Sequence, residues 1–282
     1  MVSERKIDSG SHDTRQQNNS INRGFSKQST SYDELDRSNI ILQDLRQQVY
    51  RHLQKYLKPE SRILELNAGT GIDAAHLALQ GHHVHATDLS DGMLREIEKK
   101  VSLHRLSGHL TYQQISYEAL NTLTGERYDL VFSNFGGLNC IPDLRTVAQH
   151  LPSVITPGGY VTWVIMPPVC PWELIALLKG KWKHALRRLR RDGVLAHLEG
   201  EYFQTYYHSV RDIRRALGNE FRLVQCEALA ALSPPPHHHQ LPIEHPRLYK
   251  FLRSVDALVK DFVPFNRWAD HTIVTFRFRG TN

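Results

Sequence analysis

Cysteine is scarce in this chain of 282 residues: there are three, Cys140, Cys170 and Cys226, widely spaced and with no Cys-x-x-Cys pair. A disulfide scaffold and a cysteine-ligated zinc site are therefore not expected, and a reducing, cytoplasmic setting is. No window approaches the roughly 18 uninterrupted apolar residues of a membrane-spanning helix. The first 30 residues lack the apolar stretch of a secretory leader. A large excess of one charge is missing too. Thirty-five Lys and Arg stand against 29 Asp and Glu, for a formal net charge of +6. That is mildly basic, short of the footprint of a dedicated nucleic-acid binder. No internal repeat is discernible. What remains, 40% hydrophobic and 23% charged residues, is a globular composition. Histidine is plentiful at 17, so the charge rises as pH falls below about 6.5.

Residues 1–30 are polar and rich in Gly, Ser, Asn and Gln. Such a stretch buries too little apolar surface to offset its ordering entropy, so it reads as a disordered tail. From residue 31 the pattern changes. Leu42, Leu45, Val49, Leu53 and Leu57 share one helical face, and Lys58-Pro59 ends that helix. A short apolar strand at 62–66 and further strands at 82–87, 110–115, 128–133 and 160–166 then alternate with helices at 71–80, 90–101 and 144–151. After an interruption at about 169–208, read as helical, aromatic and basic, a helix at 210–217 and a strand at 221–228 restore the rhythm. A second interruption, about 233–269, contains PPPHHHQLP and one helix near 246–262, and the strand 271–278 follows. The alternation predicts a doubly wound, Rossmann-like α/β sheet of seven strands over residues 31–282, with helical insertions.

The segment 65–71, ELNAGTG, joins the first strand to the first helix, and Asp88 ends the second strand. Gly69 and Gly71 permit a tight turn close to a ligand. The helix after them presents amide donors to the crevice. At the end of the second strand a carboxylate can accept both hydroxyls of an adenosine ribose. Gly69-x-Gly71-x-x-Ala74 also satisfies a loose dinucleotide fingerprint. Glu65 separates the two cofactors: its carboxylate would repel a pyrophosphate but favour the ammonium and sulfonium of S-adenosylmethionine.

The acid-x-x-x-Gly-x-Gly run with Asp88 downstream resembles the first two motifs of class I S-adenosylmethionine-dependent methyltransferases. DLSDGML (88–94), YDLVFSNFG (128–136) and the strand rhythm extend the resemblance over roughly 32–168 and 209–279. Asn67 departs from it, standing where the family usually has glycine. The resemblance implies that the last strand runs antiparallel. It implies S-adenosyl-L-methionine as cofactor, with Glu65, Asn67, Gly69 and Gly71 at its methionine end. Asp88 would hold the ribose, and Leu89 and Met93 would lie against the adenine. Ser116 and Tyr117 would come near the adenine amino group, although the acidic residue common there is absent. Asn134, Phe135 and Gly136 would lie closest to the transferred methyl, and Tyr32 would close over the cofactor.

Methyl transfer needs alignment and exclusion of water, and a base only when the acceptor carries a proton. In a doubly wound sheet, ligands sit beyond the carboxyl ends of the strands, so both insertions and the start of the last strand face the cofactor. Asp270 and His271 are accordingly the first candidates for a base pair, and His208 is the second. Asn139 and Cys140 lie on the loop after the fourth strand and would line the pocket, unless Cys140 is an inert buried thiol. His237–His239 lacks the spacing of a metal site, and no metal is expected. In 172–191, seven Lys and Arg interleave with Trp172, Leu174, Leu178, Trp182, Leu186 and Leu189. Three readings are open: a lid over the substrate, contact of 179–191 with an anionic membrane or lipid-like substrate, or a grip on nucleic acid or a carrier. No Asn/Asp-Pro-Pro-Tyr follows the fourth strand, which argues against methylators of DNA and protein amides. The expectation is methyl transfer to an O, N or C nucleophile of a small, aromatic or apolar molecule. An RNA methyltransferase, a non-catalytic S-adenosylmethionine-binding protein and an NAD-linked enzyme are the alternatives.

Overall fold

The computed structural model describes residues 9–123 and 125–280. Two helices, α1 (Ser9–Ser38) and α2 (Ile40–Leu53), precede the sheet. β1 (Arg62–Leu66), α3 (Ile72–Leu79), β2 (His83–Asp88), α4 (Asp91–Leu103) and β3 (Leu110–Gln114) alternate after them. β4 (Tyr128–Ser133) leads through α5 (Arg145–Ala148) and α6 (Leu151–Val154) into the long β5 (Ile155–Ile165). Then come α7 (Pro171–Leu174), α8 (Trp182–Ala185) and a hairpin of β6 (Val194–Leu198) and β7 (Glu201–Thr205). α9 (Val210–Leu217), β8 (Phe221–Leu229), α10 (Leu241–Glu244), α11 (Pro246–Val259) and β9 (His271–Phe278) complete the order.

Seven strands form one sheet in the order β3-β2-β1-β4-β5-β9-β8. β1 to β5 pair in parallel, and β9 runs antiparallel to both β5 and β8. The central strands are apolar on both faces, as a sheet covered on two sides requires. Successive residues go to opposite faces. Ile63, Phe132, Val164 and Ile273 pack with α2, α3 and α4. Leu64, Val131, Trp163 and Val274 pack with Val147 and Leu151 of α5 and α6 and with Val210, Ile213 and Leu217 of α9.

Three expectations are corrected. From Ser9 onward the N-terminal stretch is helical rather than disordered, while residues 1–8 lie outside the described part. α1 is polar, but it has partners. Ser26 packs on Gly92, where an added Cβ would come within 2.5 Å of the Ser26 Cα. Arg23 and Lys27 pair with Glu201 of β7 at 2.8 and 3.0 Å. Composition reports how little a segment can bury alone, and α1 is held by these polar contacts together with the buried Ile21 and with Phe25, whose ring lies 5.9 Å from that of Phe203. Second, the helix expected at 144–151 is divided into α5 and α6, with Pro152 in the first turn of α6. Third, the insertion at 169–208, expected to be helical, is not mainly so. It is a run of single turns followed by a hairpin whose two-residue loop, Glu199-Gly200, has φ of 49° and 82°. Positive φ at both positions matches the right-handed strand twist, so Glu-Gly acts here as Asn-Gly or Asp-Gly does elsewhere.

Candidate active site

The turn after β1 is built from left-handed residues. Asn67, Gly69 and Gly71 have φ of 49°, 56° and 78°. An added Cβ at Gly69 would meet no atom within 4 Å, so conformation alone calls for glycine there. At Gly71 space matters as well, because a Cβ would come 2.8 Å from Ile97 Cγ1. Asp88 locks this turn: its carboxylate accepts the Gly69 and Ser90 amides, each at 2.8 Å. Burial pushes its carboxyl up to about 6, against the pull of those amides.

Asn67 ties the turn to β4. Its Oδ1 accepts from Ser133 Oγ at 2.5 Å and from Tyr117 OH at 3.2 Å, and its Nδ2 donates to the Asn134 carbonyl at 2.9 Å. Asparagine tolerates positive φ better than most residues. Here it also supplies a cross-link that glycine could not. Gly137 makes room for it, since an added Cβ there would collide with the Asn67 amide.

These residues border a cavity of about 420 Å³, within the range of roughly 300–1,000 Å³ for small-molecule sites. Of the sequence-nominated cofactor residues, Tyr32, Asn67, Gly69, Asp88, Leu89, Met93, Ser116, Tyr117, Asn134 and Phe135 line it. Gly71 and Glu65 stand behind this wall. Glu65 is 1% exposed, and its Oε2 has no hydrogen-bond partner. Burial, then the nearby Asp73, holds its carboxyl well above the usual carboxylate range.

None of the three candidates for a base lines the cavity. His208 is buried, and its Nε2 donates to the Ile141 carbonyl at 3.0 Å. His271 Nδ1 lies 2.9 Å from Asp270 Oδ2, and its ring meets the edge of Phe135 at 5.7 Å between centroids. Phe135, which does line the cavity, lies against that ring. Asp270 is committed elsewhere: its Oδ1 accepts from Arg188 at 2.9 Å, and Arg188 also donates to Glu173 at 2.8 Å. Burial pushes the Asp270 carboxyl up, but His271 and Arg188 outweigh it and hold it well below the usual range. This is a buried charge network that ties the first insertion to the start of β9.

Other wall residues escaped the sequence reading. Arg46 of α2 pairs with Asp36 at 2.6 Å and with Asp73, which also accepts from Tyr50 OH at 2.7 Å and Asn134 Nδ2 at 2.8 Å. Burial pushes the Asp73 carboxyl up, but Arg46 outweighs it and holds it low. Arg46 also lies 4.9 Å above the Phe135 ring. α1 contributes Gln17, Ile21 and Phe25, and the β6–β7 hairpin and its exit contribute Ala196, Phe203 and Tyr206. Only the Glu199-Gly200 turn could have revealed the hairpin, and α1 carried a sparse apolar signal, Ile21 and Phe25 four residues apart.

Residues 63–159 match a family model described as a methyltransferase domain. Over 141 residues the chain is 33% identical to demethylmenaquinone methyltransferase of Clavibacter sepedonicus, covering 49% of this chain and 54% of that one. Over 102 residues it is 30% identical to ubiquinone biosynthesis O-methyltransferase of Nitrosomonas europaea, covering 36% and 42%. The chain thus spans about half the length of these curated relatives. A structure from Listeria monocytogenes, described as an S-adenosylmethionine-dependent methyltransferase, superimposes with a TM-score of 0.55 at 19% identity, covering 81% of this chain and 96% of that one. At that identity the likeness establishes the fold. The family match contains the turn from Glu65 to Gly71 and Asp88, and the seven-stranded sheet surrounds them: residues 63–159 are similar to a methyltransferase domain, within a fold shared with an S-adenosylmethionine-dependent methyltransferase.

Proposed function

We propose that the protein transfers the methyl group of S-adenosylmethionine to an oxygen, nitrogen or carbon nucleophile on a small, apolar or aromatic molecule. One observation carries the acceptor class. Among the described residues, Arg46 is the single Lys or Arg in the cavity wall, and two carboxylates already hold it. The remaining wall from α1, the hairpin and the loops after β4 and β5 includes Ile21, Phe25, Ile141, Met166 and Phe203. Such a wall desolvates an apolar ring and offers no unpaired cation to a phosphate backbone. The names of the two curated relatives, each specifying a quinone, support the same reading.

The residues present fit the cofactor. Asp88 faces the cavity as an acceptor for ribose hydroxyls, beside Leu89, Met93, Ile115 and Tyr117. The unpartnered Glu65 Oε2 suits a cation arriving from the Asn67–Gly69 side. When bound there, S-adenosylmethionine supplies an electrophilic methyl on a sulfonium. The chain's own contribution is positional. Asp73 fixes Arg46, Tyr50 and Asn134 around the start of α3, and Asn67 fixes the loop after β4. α1 and the hairpin exclude water. Asp270, His271 and His208 stand outside the wall, so this reading assigns no proton transfer to them.

Calorimetric titration with S-adenosylhomocysteine, S-adenosylmethionine and NAD tests the cofactor. Micromolar binding of the adenosyl ligands is expected, weakened about 100-fold in Asp88→Ala by loss of charge-assisted hydrogen bonds. Binding of NAD alone would overturn the reading. Labelled methyl from S-adenosylmethionine is then offered to a hydroxynaphthoquinol and to a short RNA. Label extracted into organic solvent supports the acceptor class, and label confined to RNA refutes it.

A further inference from the structure

The apolar side chains of the segment 172–191, before the hairpin, do not face the cavity. No residue of 172–191 lines the cavity, where α1 and the β6–β7 hairpin supply the cover instead. Leu178 is 88% exposed, Trp182 64% and Leu189 55%, with Ile175 and Leu186 also exposed. Burying large apolar groups drives folding, so five of them turned outward within 15 residues call for an external partner. The segment is nevertheless anchored. Glu173 is buried and holds both Arg187, at 2.8 and 2.9 Å, and Arg188. Glu173 is thus neutralised inside the protein, and Arg190 pairs with Asp192 at 2.6 Å. Lys181, Lys183 and Arg191 are exposed, and no carboxylate among the described residues lies within ion-pairing distance of them.

We infer that this face docks on an anionic lipid bilayer. Single-turn helices (α7, α8 and the turns at Ile175–Lys179 and Arg187–Leu189) present an indole and four aliphatic side chains among free cations. That combination suits the headgroup and acyl boundary, where the apolar groups enter the lipid and the cations meet its phosphates. A nucleic acid would satisfy the cations but leave Leu178, Leu186 and Leu189 in water. The inference goes beyond the proposed reaction and does not depend on it, because the test reads binding and no methyl transfer.

The test is flotation of the full chain with vesicles of phosphatidylglycerol and phosphatidylcholine, and with phosphatidylcholine alone. The protein is expected to float with the anionic vesicles only, and to be released by salt. Lys181→Glu with Lys183→Glu and Arg191→Glu should weaken partitioning roughly ten-fold or more, since each cation near an anionic surface contributes appreciably. Leu178→Ser with Trp182→Ser should weaken it comparably at unchanged charge. Circular dichroism and thermal unfolding matching the parent protein confirm that these exposed substitutions leave the fold intact. An absence of flotation with anionic vesicles would overturn the inference. So would flotation that neither variant reduces, or binding to polyuridylic acid that the charge variant abolishes while flotation persists.

Discussion

At the scale of single residues, the site depends on two side chains whose behaviour can be checked separately. On the proposed reading, Asp88 accepts ribose hydroxyls as a carboxylate while it accepts the Gly69 and Ser90 amides. With its carboxyl pushed up to about 6, affinity for S-adenosylhomocysteine should rise about ten-fold between pH 5 and pH 7 and then level off. Asp88→Asn should flatten that profile, and an unchanged slope in the variant would show that another group sets it. The sign for folding is opposite. A carboxyl raised in the folded state favours folding in acid, and that contribution fades as pH rises through about 6. Asn67 offers a test by coupling. Gly137→Ala should cost about 2 kcal/mol by overpacking against the Asn67 amide. In an Asn67→Gly background most of that cost should vanish. Urea unfolding of the four proteins measures the coupling, and penalties that add within about 0.5 kcal/mol would refute it. The turn itself was legible because positive φ selects glycine, and asparagine next, wherever it occurs. The Arg46–Asp73–Asp36 cluster was not, because its members stand on three helices and nothing in their spacing predicts that they meet.

At the scale of elements, α1 is the part whose role the sequence concealed. Its helical surface is polar, and it stays in place through fitted contacts. Ser26 Oγ lies 2.8 Å from Ser90 Oγ and accepts the Gly92 amide at 3.0 Å, and Gln17 Nε2 donates to the Cys140 carbonyl at 2.7 Å. The ion pairs to Glu201 are largely exposed and contribute little individually. Gly92→Ala should therefore wedge α1 away from α4 without disturbing the sheet. Trypsin should cut at Arg15, Arg23, Lys27 or Arg37 about ten-fold faster, and S-adenosylhomocysteine should bind several-fold more weakly, while the urea midpoint of the domain hardly moves. Continued protection of these sites would show that α1 does not depend on this contact. The strands were read more reliably than the helices and insertions. Buried parallel strands are short apolar runs that their flanking turns delimit. The first insertion, by contrast, is organised by the Glu173–Arg188–Asp270 network, whose partners lie far apart in sequence.

At the scale of the whole molecule, the doubly wound sheet was legible because the alternation of strand and helix leaves few topologies open. The direction of β9 came from the family resemblance and agrees with its pairing to β5 and β8. Which surfaces cover the cavity was not legible, because the cover comes from segments without periodic apolar signal. The position of β9 bears on how the protein is made. It lies between β5 and β8, and among the described residues β8 has no other strand beside it. During synthesis β5 emerges with an open edge, and more than a hundred residues separate its end from the start of β9. At roughly 5–20 residues per second that edge waits for several seconds or longer. β8 emerges in the interval with nothing to pair with. The nascent chain thus carries an unpaired, apolar strand edge on the ribosome, and its solubility there depends on whatever shields β5 until β9 arrives.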